Sequence, residues 1–243
     1  MPDSHTEIPV RAPAANSVDD AILPFQVEAL DLRGRVVRFG PAIDTILSRH
    51  RYPTPVAKLV GEAVVLTVLL GSTLKFEGRF ILQTQSDGPV RMLVIDYTTP
   101  GKVRACARFD TARVAAAIES GAADPGDAPA GAEVETFRED DAWVEGRSLV
   151  ATIDDVELLD PELSAERLLY RLFRDRGVRV FRSRDLHAQC SCSRAGVEQM
   201  LRSFSQDDRD HMVEHGKITV TCEFCNSTYV FDPAEVDAAS PPT

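Results

Sequence analysis

Two familiar catalytic signatures are missing from this chain of 243 residues. It has no glycine-rich loop that would cradle phosphates, so no ATP is expected. It has no Gly-x-Ser-x-Gly elbow or comparable nucleophile constellation, so hydrolysis is not expected and the chain does not read as an enzyme. No apolar run approaches the roughly 18 residues of a membrane span. The opening residues Met1 to Glu7 lack the basic and apolar regions of a signal peptide. No membrane association and a cytoplasmic location are the expectations. Positive charge is scarce, with 27 Lys and Arg against 38 Asp and Glu, a net of −11. That balance repels phosphate backbones, so no nucleic acid partner is expected.

Cysteine is also scarce, but four of the five form two tight pairs, Cys190-Ser191-Cys192 and Cys222-Glu223-Phe224-Cys225. Zinc takes four thiolates in a tetrahedron, and two short chelating turns supply them. One zinc per chain in the reduced state, on Cys190, Cys192, Cys222 and Cys225, is the expectation. The same sulfurs are two dithiols able to close into disulfides when an oxidant arrives.

Periodicity and turn residues predict an α+β chain: an antiparallel sheet with helices in an N-terminal domain, a helical linker and a small C-terminal α+β zinc module. Residues 1–20 read as a disordered tail and 21–119 as the N-terminal core. There, alternation from Phe25 to Phe39 gives a bent or paired strand. Helical spacing follows from Ala42 to His50, then a second, more apolar helix from Pro53, whose apolar positions cover most of its circumference and imply all-round burial. Strand-like runs at 78–84, 90–97 and 102–109, joined by Asp87-Gly88-Pro89 and Thr99-Pro100-Gly101, predict a meander.

Residues 120–160 read as a flexible acidic linker and 161–182 as a helical linker with the apolar stripe Leu163, Leu168, Leu169, Leu172 and Phe173, ended by Gly177. The zinc module spans 183–236, with helices capped by Ser193 and Ser205, the second running to Glu214, and a hairpin around the Cys222–Cys225 turn. Residues 237–243 are a tail. From Pro24 to Asp110 there are 12 basic and 8 acidic residues; from Cys190 onward, 4 basic and 9 acidic. The two regions either attract one another or carry solvated surface charge.

Several stretches together resemble the redox-regulated chaperonins, the thirty-three-kilodalton heat-shock holdases of bacteria. They include Leu74-Lys75-Phe76-Glu77-Gly78, Leu82 to Pro89, Ala107-Arg108-Phe109-Asp110, Glu166 to Phe173, and Cys222-Glu223-Phe224-Cys225 with Phe231-Asp232-Pro233. The resemblance covers Phe25 to about Ile118 and Glu157 to Val236. It implies an ATP-independent holdase for unfolding client proteins under oxidative stress. The resemblance further implies that zinc holds Cys190, Cys192, Cys222 and Cys225 in the inactive state. It implies that oxidation forms Cys190–Cys192 and Cys222–Cys225 disulfides, releases zinc, unfolds the C-terminal region and favours a homodimer. The stripe from Leu163 to Phe173 is the candidate client surface. Members of that family carry several dozen further residues where this chain has the Gly/Ala/Pro/Asp run from Ser120 to Gly131. A core shortened in this way implies an unpaired sheet edge and a tendency to self-associate.

Two other functions fit the cysteine pairs: a zinc module for protein interaction, and a thiol–disulfide oxidoreductase using Cys222 and Cys225. The second lacks the βαβ context such motifs normally have. Cys106, on a strand, reads as an inert and partly buried thiol. His211 and His215 read as surface residues.

Overall fold

A computed structural model describes residues 19–75, 77–121 and 140–237. All but two residues of the 1–20 tail, most of the Ser120–Gly131 run and the last six residues lie outside them. In chain order the strands are β1 (Ala21–Val27), β2 (Leu32–Arg38), β3 (Arg79–Gln85), β4 (Val90–Thr98), β5 (Lys102–Phe109), β6 (Val178–Val180), β7 (Arg184–Asp185), β8 (His187–Ala188), β9 (Val213–Glu214), β10 (Lys217–Thr221) and β11 (Thr228–Phe231). The helices are α1 (Pro41–Ser48), α2 (Thr54–Gly71), α3 (Thr111–Glu119), α4 (Asp141–Val150), α5 (Asp155–Leu159), α6 (Ala165–Phe173), α7 (Arg194–Arg202), α8 (Gln206–His211) and α9 (Pro233–Asp237). The fold is α+β with antiparallel sheets, as expected, and divides into two compact units.

Among the described residues the first unit joins 19–38 with 140–183. Its central strand β1 pairs antiparallel with β2 on one side and β6 on the other. Leu23, Phe25 and Val27 alternate onto one face of β1. There they meet Leu168, Leu169, Leu172 and Phe173 of α6, with Phe25 and Phe173 stacked at 5.9 Å. The stripe is therefore the sealed core of this unit, and Leu163 packs on its margin. Arg38 bonds the carbonyl oxygens of Leu163 and, at 2.7 Å, Asp160, tethering the entry to α6. The described part of the acidic segment is helical. Its carboxylates act as caps and ion-pair partners: Asp140 accepts from Trp143 N, Asp154 and Glu157 form a capping box, and Glu157 and Glu145 pair with Arg171 and Arg176.

Among the described residues the second unit joins 39–75 and 77–121 with 184–237. Its main sheet runs β3-β4-β5-β8, a meander extended by one parallel strand. Helix α2 packs on one face of β3, β4 and β5. Val56, Val60, Ala63, Val64, Thr67 and Val68 form its buried side, at the three- and four-residue spacing of one helical face. The expected all-round burial does not hold, because Leu66 and Leu70 on the opposite side are nearly half exposed. Helix α2 has 18 residues at a mean hydropathy of 1.6, long and apolar enough to span a membrane by length and composition alone, although Lys58 and Glu62 interrupt its apolar run. Its valine face against the sheet accounts for that composition. Strand β3 is an outer strand of the sheet, with Ile81 half exposed.

Candidate metal centre

The cysteines are delivered by two local devices. Parallel pairing of β8 with β5, reinforced by His187 N to Gly101 O at 2.8 Å and Gln189 N to Val103 O at 3.0 Å, sets the strand that ends in Cys190. Directly after Cys192, Ser193 accepts a bond from Gly196 N and starts α7. The second pair lies in the turn between β10 and β11. Asn226, with φ of 58°, donates to Cys222 O at 2.8 Å, and Cys222 N donates to Ser227 O at 2.9 Å. A core of Leu201, Ile218, Phe231 and Val236 supports both devices. The Ser205-capped helix stops at His211 rather than Glu214, because Val213 and Glu214 pair with β10 instead.

All four sulfurs lie within 4.8 Å of one another. The Sγ of Cys190 is 3.7 Å from that of Cys222, and Cys192 is 3.2 Å from Cys225. Zn–S bonds of about 2.3 Å in a tetrahedron set sulfurs about 3.8 Å apart, so this donor set fits zinc. Among the described residues, no other group of His, Cys, Asp and Glu gathers in this way. His211 and His215 are exposed, and His211 Nδ1 lies 2.6 Å from Asp207 O.

The sulfurs are not equivalent. Burial raises the Cys192 thiol to about 12; the Tyr229 hydroxyl, donating at 3.2 Å, opposes that shift while the neighbouring sulfurs add to it. Burial also raises Cys222. At Cys225 burial acts in the same sense but is outweighed by hydrogen bonds from Ser227, Cys192 and Cys222, leaving the thiol at about 6. A central divalent cation would hold all four as thiolates.

Sequence reasoning missed the residues around the cluster. Arg104 of β5 donates two bonds to Asp96 of β4, at 2.9 and 2.7 Å, places its guanidinium 4.1 Å from the centre of the Phe224 ring, and reaches Cys190 Sγ at 3.8 Å. Asp96 is only 4% exposed and has Arg79 at 3.3 Å on its other oxygen. Arg108 pairs with Glu223, His50 Nε2 lies 3.4 Å from Phe224 O, and Arg49 donates to Ala188 O at 3.2 Å. The basic strands thus meet the acidic cysteine turn, the attractive one of the two charge readings. One signal was available: the tight turn between β4 and β5 places Asp96 directly opposite Arg104. Cys106, two residues further along, is 4% exposed, and burial raises its thiol to about 11.

The model of the Hsp33 protein family matches residues 20–135 and 131–232. The chain belongs to the Hsp33 family. A 33 kDa chaperonin of Caulobacter vibrioides is 36% identical over 295 positions, covering 91% of this chain and 98% of the relative. One from Pseudomonas fluorescens is 28% identical over 273 positions, covering 87% and 90%. The crystal structure of the 33 kDa chaperonin of Thermotoga maritima shares this Hsp33-family fold with a TM-score of 0.66, covering 90% of this chain and 97% of that one, at 16% identity. The Caulobacter alignment is longer than this chain, so that relative carries dozens of residues with no counterpart here. The two matched stretches of the family model meet at 131–135, beside the expected shortening.

Gly101 has no room for a side chain beside the segment that carries β8. A Cβ there would lie 1.9 Å from the backbone oxygen of Asp185, which cannot yield without moving the segment that carries β8. Gly101→Ala is expected to destabilise by about 1–3 kcal/mol, the range for forced overpacking. It should also weaken metal binding, as read by urea unfolding and chelator competition. Gly61→Ala in α2 has open space and should be neutral or stabilising. Equal stability of the two variants would remove β8 from the set of elements that place Cys190.

Proposed function

We propose that this protein is a redox-regulated, ATP-independent chaperone that holds unfolding client proteins, with the four-cysteine cluster as its switch. The carrying observation is the convergence of four sulfurs within 4.8 Å, from two separate turns, in a chain of the Hsp33 family. The relatives' printed name, 33 kDa chaperonin, supports the chaperone role. Bound zinc would supply one thing, a cross-link that keeps the thiolates of Cys190, Cys192, Cys222 and Cys225 together.

The chain's own residues then account for switching. Each pair of thiolates gives two electrons to one peroxide, forming an S–S bond within the pair and two hydroxides, which take up two protons from solvent to become waters. A disulfide sulfur is no longer a thiolate ligand, so the two turns lose their common anchor. What remains of the local core is Leu201, Ile218, Phe231 and Val236, little for a module of this size. Structural zinc sites contribute roughly 10–16 kcal/mol of folding energy in small modules, so losing one unfolds them. Sixteen residues of chain separate Phe173 from Cys190. Unfolding that spreads along them would free the stripe from Leu163 to Phe173 for clients, and for a homodimer in the oxidised state.

The test is light scattering from a thermally unfolding client, with reduced zinc-loaded and peroxide-treated protein side by side. Oxidised protein should suppress aggregation while reduced protein does not. One zinc should be released, and mass mapping should find disulfides within each pair. Disulfides linking one pair to the other, or zinc retained after full oxidation, would rule the mechanism out.

A further inference from the structure

The outer face of β5, opposite α2, carries Arg104, Cys106 and Arg108 in alternation, and the protein's own Glu223-Phe224 dipeptide is seated there. Phe224 stacks on the Arg104 guanidinium, Glu223 pairs with Arg108, and His50 lies against the Phe224 carbonyl. Cys106 lies between the two arginines and is almost fully covered. Beside Arg108 lies an open depression of about 660 Å³, lined also by Phe109, Thr111 and the Arg91–Asp110 ion pair. Through Glu223 on Arg108 the cysteine turn thus reaches the margin of this groove, and the seat as a whole offers an aromatic-stacking cation and a second cation.

We infer that this groove is a docking surface for extended segments that carry an aromatic residue next to an acidic one, and that Glu223-Phe224 occupies it as an internal ligand while the cysteine cluster is intact. The inference rests on the cysteine-switch reading and names the chemistry that the opened state would take. Complementarity supports the occupant. A carboxylate beside a ring satisfies Arg108 and Arg104 together, whereas a lysine beside a ring would face both cations. The buried Asp96–Arg104 pair holds the guanidinium in place, so the site does not have to be rebuilt when Phe224 leaves.

The experiment uses the full chain and a fluorescent peptide with two Glu-Phe repeats, with a Lys-Phe peptide as control. Phe224→Ala vacates the groove without touching Arg104, and Arg108→Glu reverses the exposed cation while sparing the buried pair. Zinc-loaded Phe224→Ala, with metal content intact, should bind the Glu-Phe peptide about tenfold tighter than the zinc-loaded parent, the scale of a lost stacking contact. Chelator-stripped parent protein should do the same, with faster alkylation of Cys106 on mass mapping. Phe224→Ala combined with Arg108→Glu should lose the gain, and the Lys-Phe peptide should bind weakly throughout. Affinity unchanged by Phe224→Ala, equal binding of the two peptides, or Cys106 still protected after stripping would each overturn the assignment. Client protection by oxidised parent protein is measured in parallel. Its failure would count against the redox reading alone, because Phe224→Ala and chelation open the groove without any oxidation.

Discussion

Cys222→Ser is expected to lower zinc affinity by far more than the roughly 10–100-fold that losing even an outer-shell partner of a metal ligand costs. Three thiolates cannot complete the tetrahedron, and Cys222 also closes its own turn through backbone bonds to Ser227 and Asn226. Because the local core rests on the few buried side chains Leu201, Ile218, Phe231 and Val236, the loss should melt α7 and the β10–β11 hairpin. Circular dichroism and amide exchange would show this as helix loss confined to the C-terminal part. Cys106→Ser is the control: that sulfur lies outside the cluster, and one zinc per chain should remain. X-ray absorption that reports fewer than four sulfurs around zinc in the parent protein would sink the assignment, as would full metal occupancy in Cys222→Ser.

Phe173→Ala is expected to destabilise the first unit by about 3–5 kcal/mol, the range for removing a buried aromatic ring. Phe173 is 0% exposed, stacks on Phe25, and closes the cluster that α6 makes with β1. Tyr170, on the same helix but 56% exposed, is the internal comparison. Its replacement by Ala should stay within about 0.5 kcal/mol. Urea unfolding followed by far-ultraviolet dichroism measures both. If Phe173→Ala costs no more than Tyr170→Ala, the stripe is not what holds α6. Reduced Phe173→Ala should also suppress client aggregation more than the reduced parent, since a loosened α6 releases the same leucines that oxidation is proposed to free.

The meander was legible because its signals are local. Alternation marks β3, β4 and β5, and turn residues at Asp87-Gly88-Pro89 and Thr99-Pro100-Gly101 leave few ways to join them. Caps at Ser193 and Ser205 were legible for the same reason, each side chain answering to a backbone amide three residues on. Helix α2 was misread because an apolar count around a helix does not say which side has a partner. Its valines meet a sheet, and Leu66 and Leu70 do not. The acidic segment was read as flexible although its described part is helical, because capping carboxylates and solvating ones have the same composition.

By itself the sequence determined which four sulfurs come together. Four cysteines at two- and three-residue offsets can reach one centre from two turns, and few other chemistries use that pattern. It also determined the family, through motifs spread along the chain. Only the tertiary structure decided what surrounds the sulfurs. Arg104 and Cys190 stand 86 positions apart, and Arg108 and Glu223 115 apart. No local rule links residues at such distances, because their meeting depends on β8 pairing with β5, and that pairing depends on backbone hydrogen bonds blind to side-chain identity. Whether the basic strands and the acidic turn attract or merely coexist is likewise a question of distance. The charges are written in the sequence, and their energy depends on how close folding brings them.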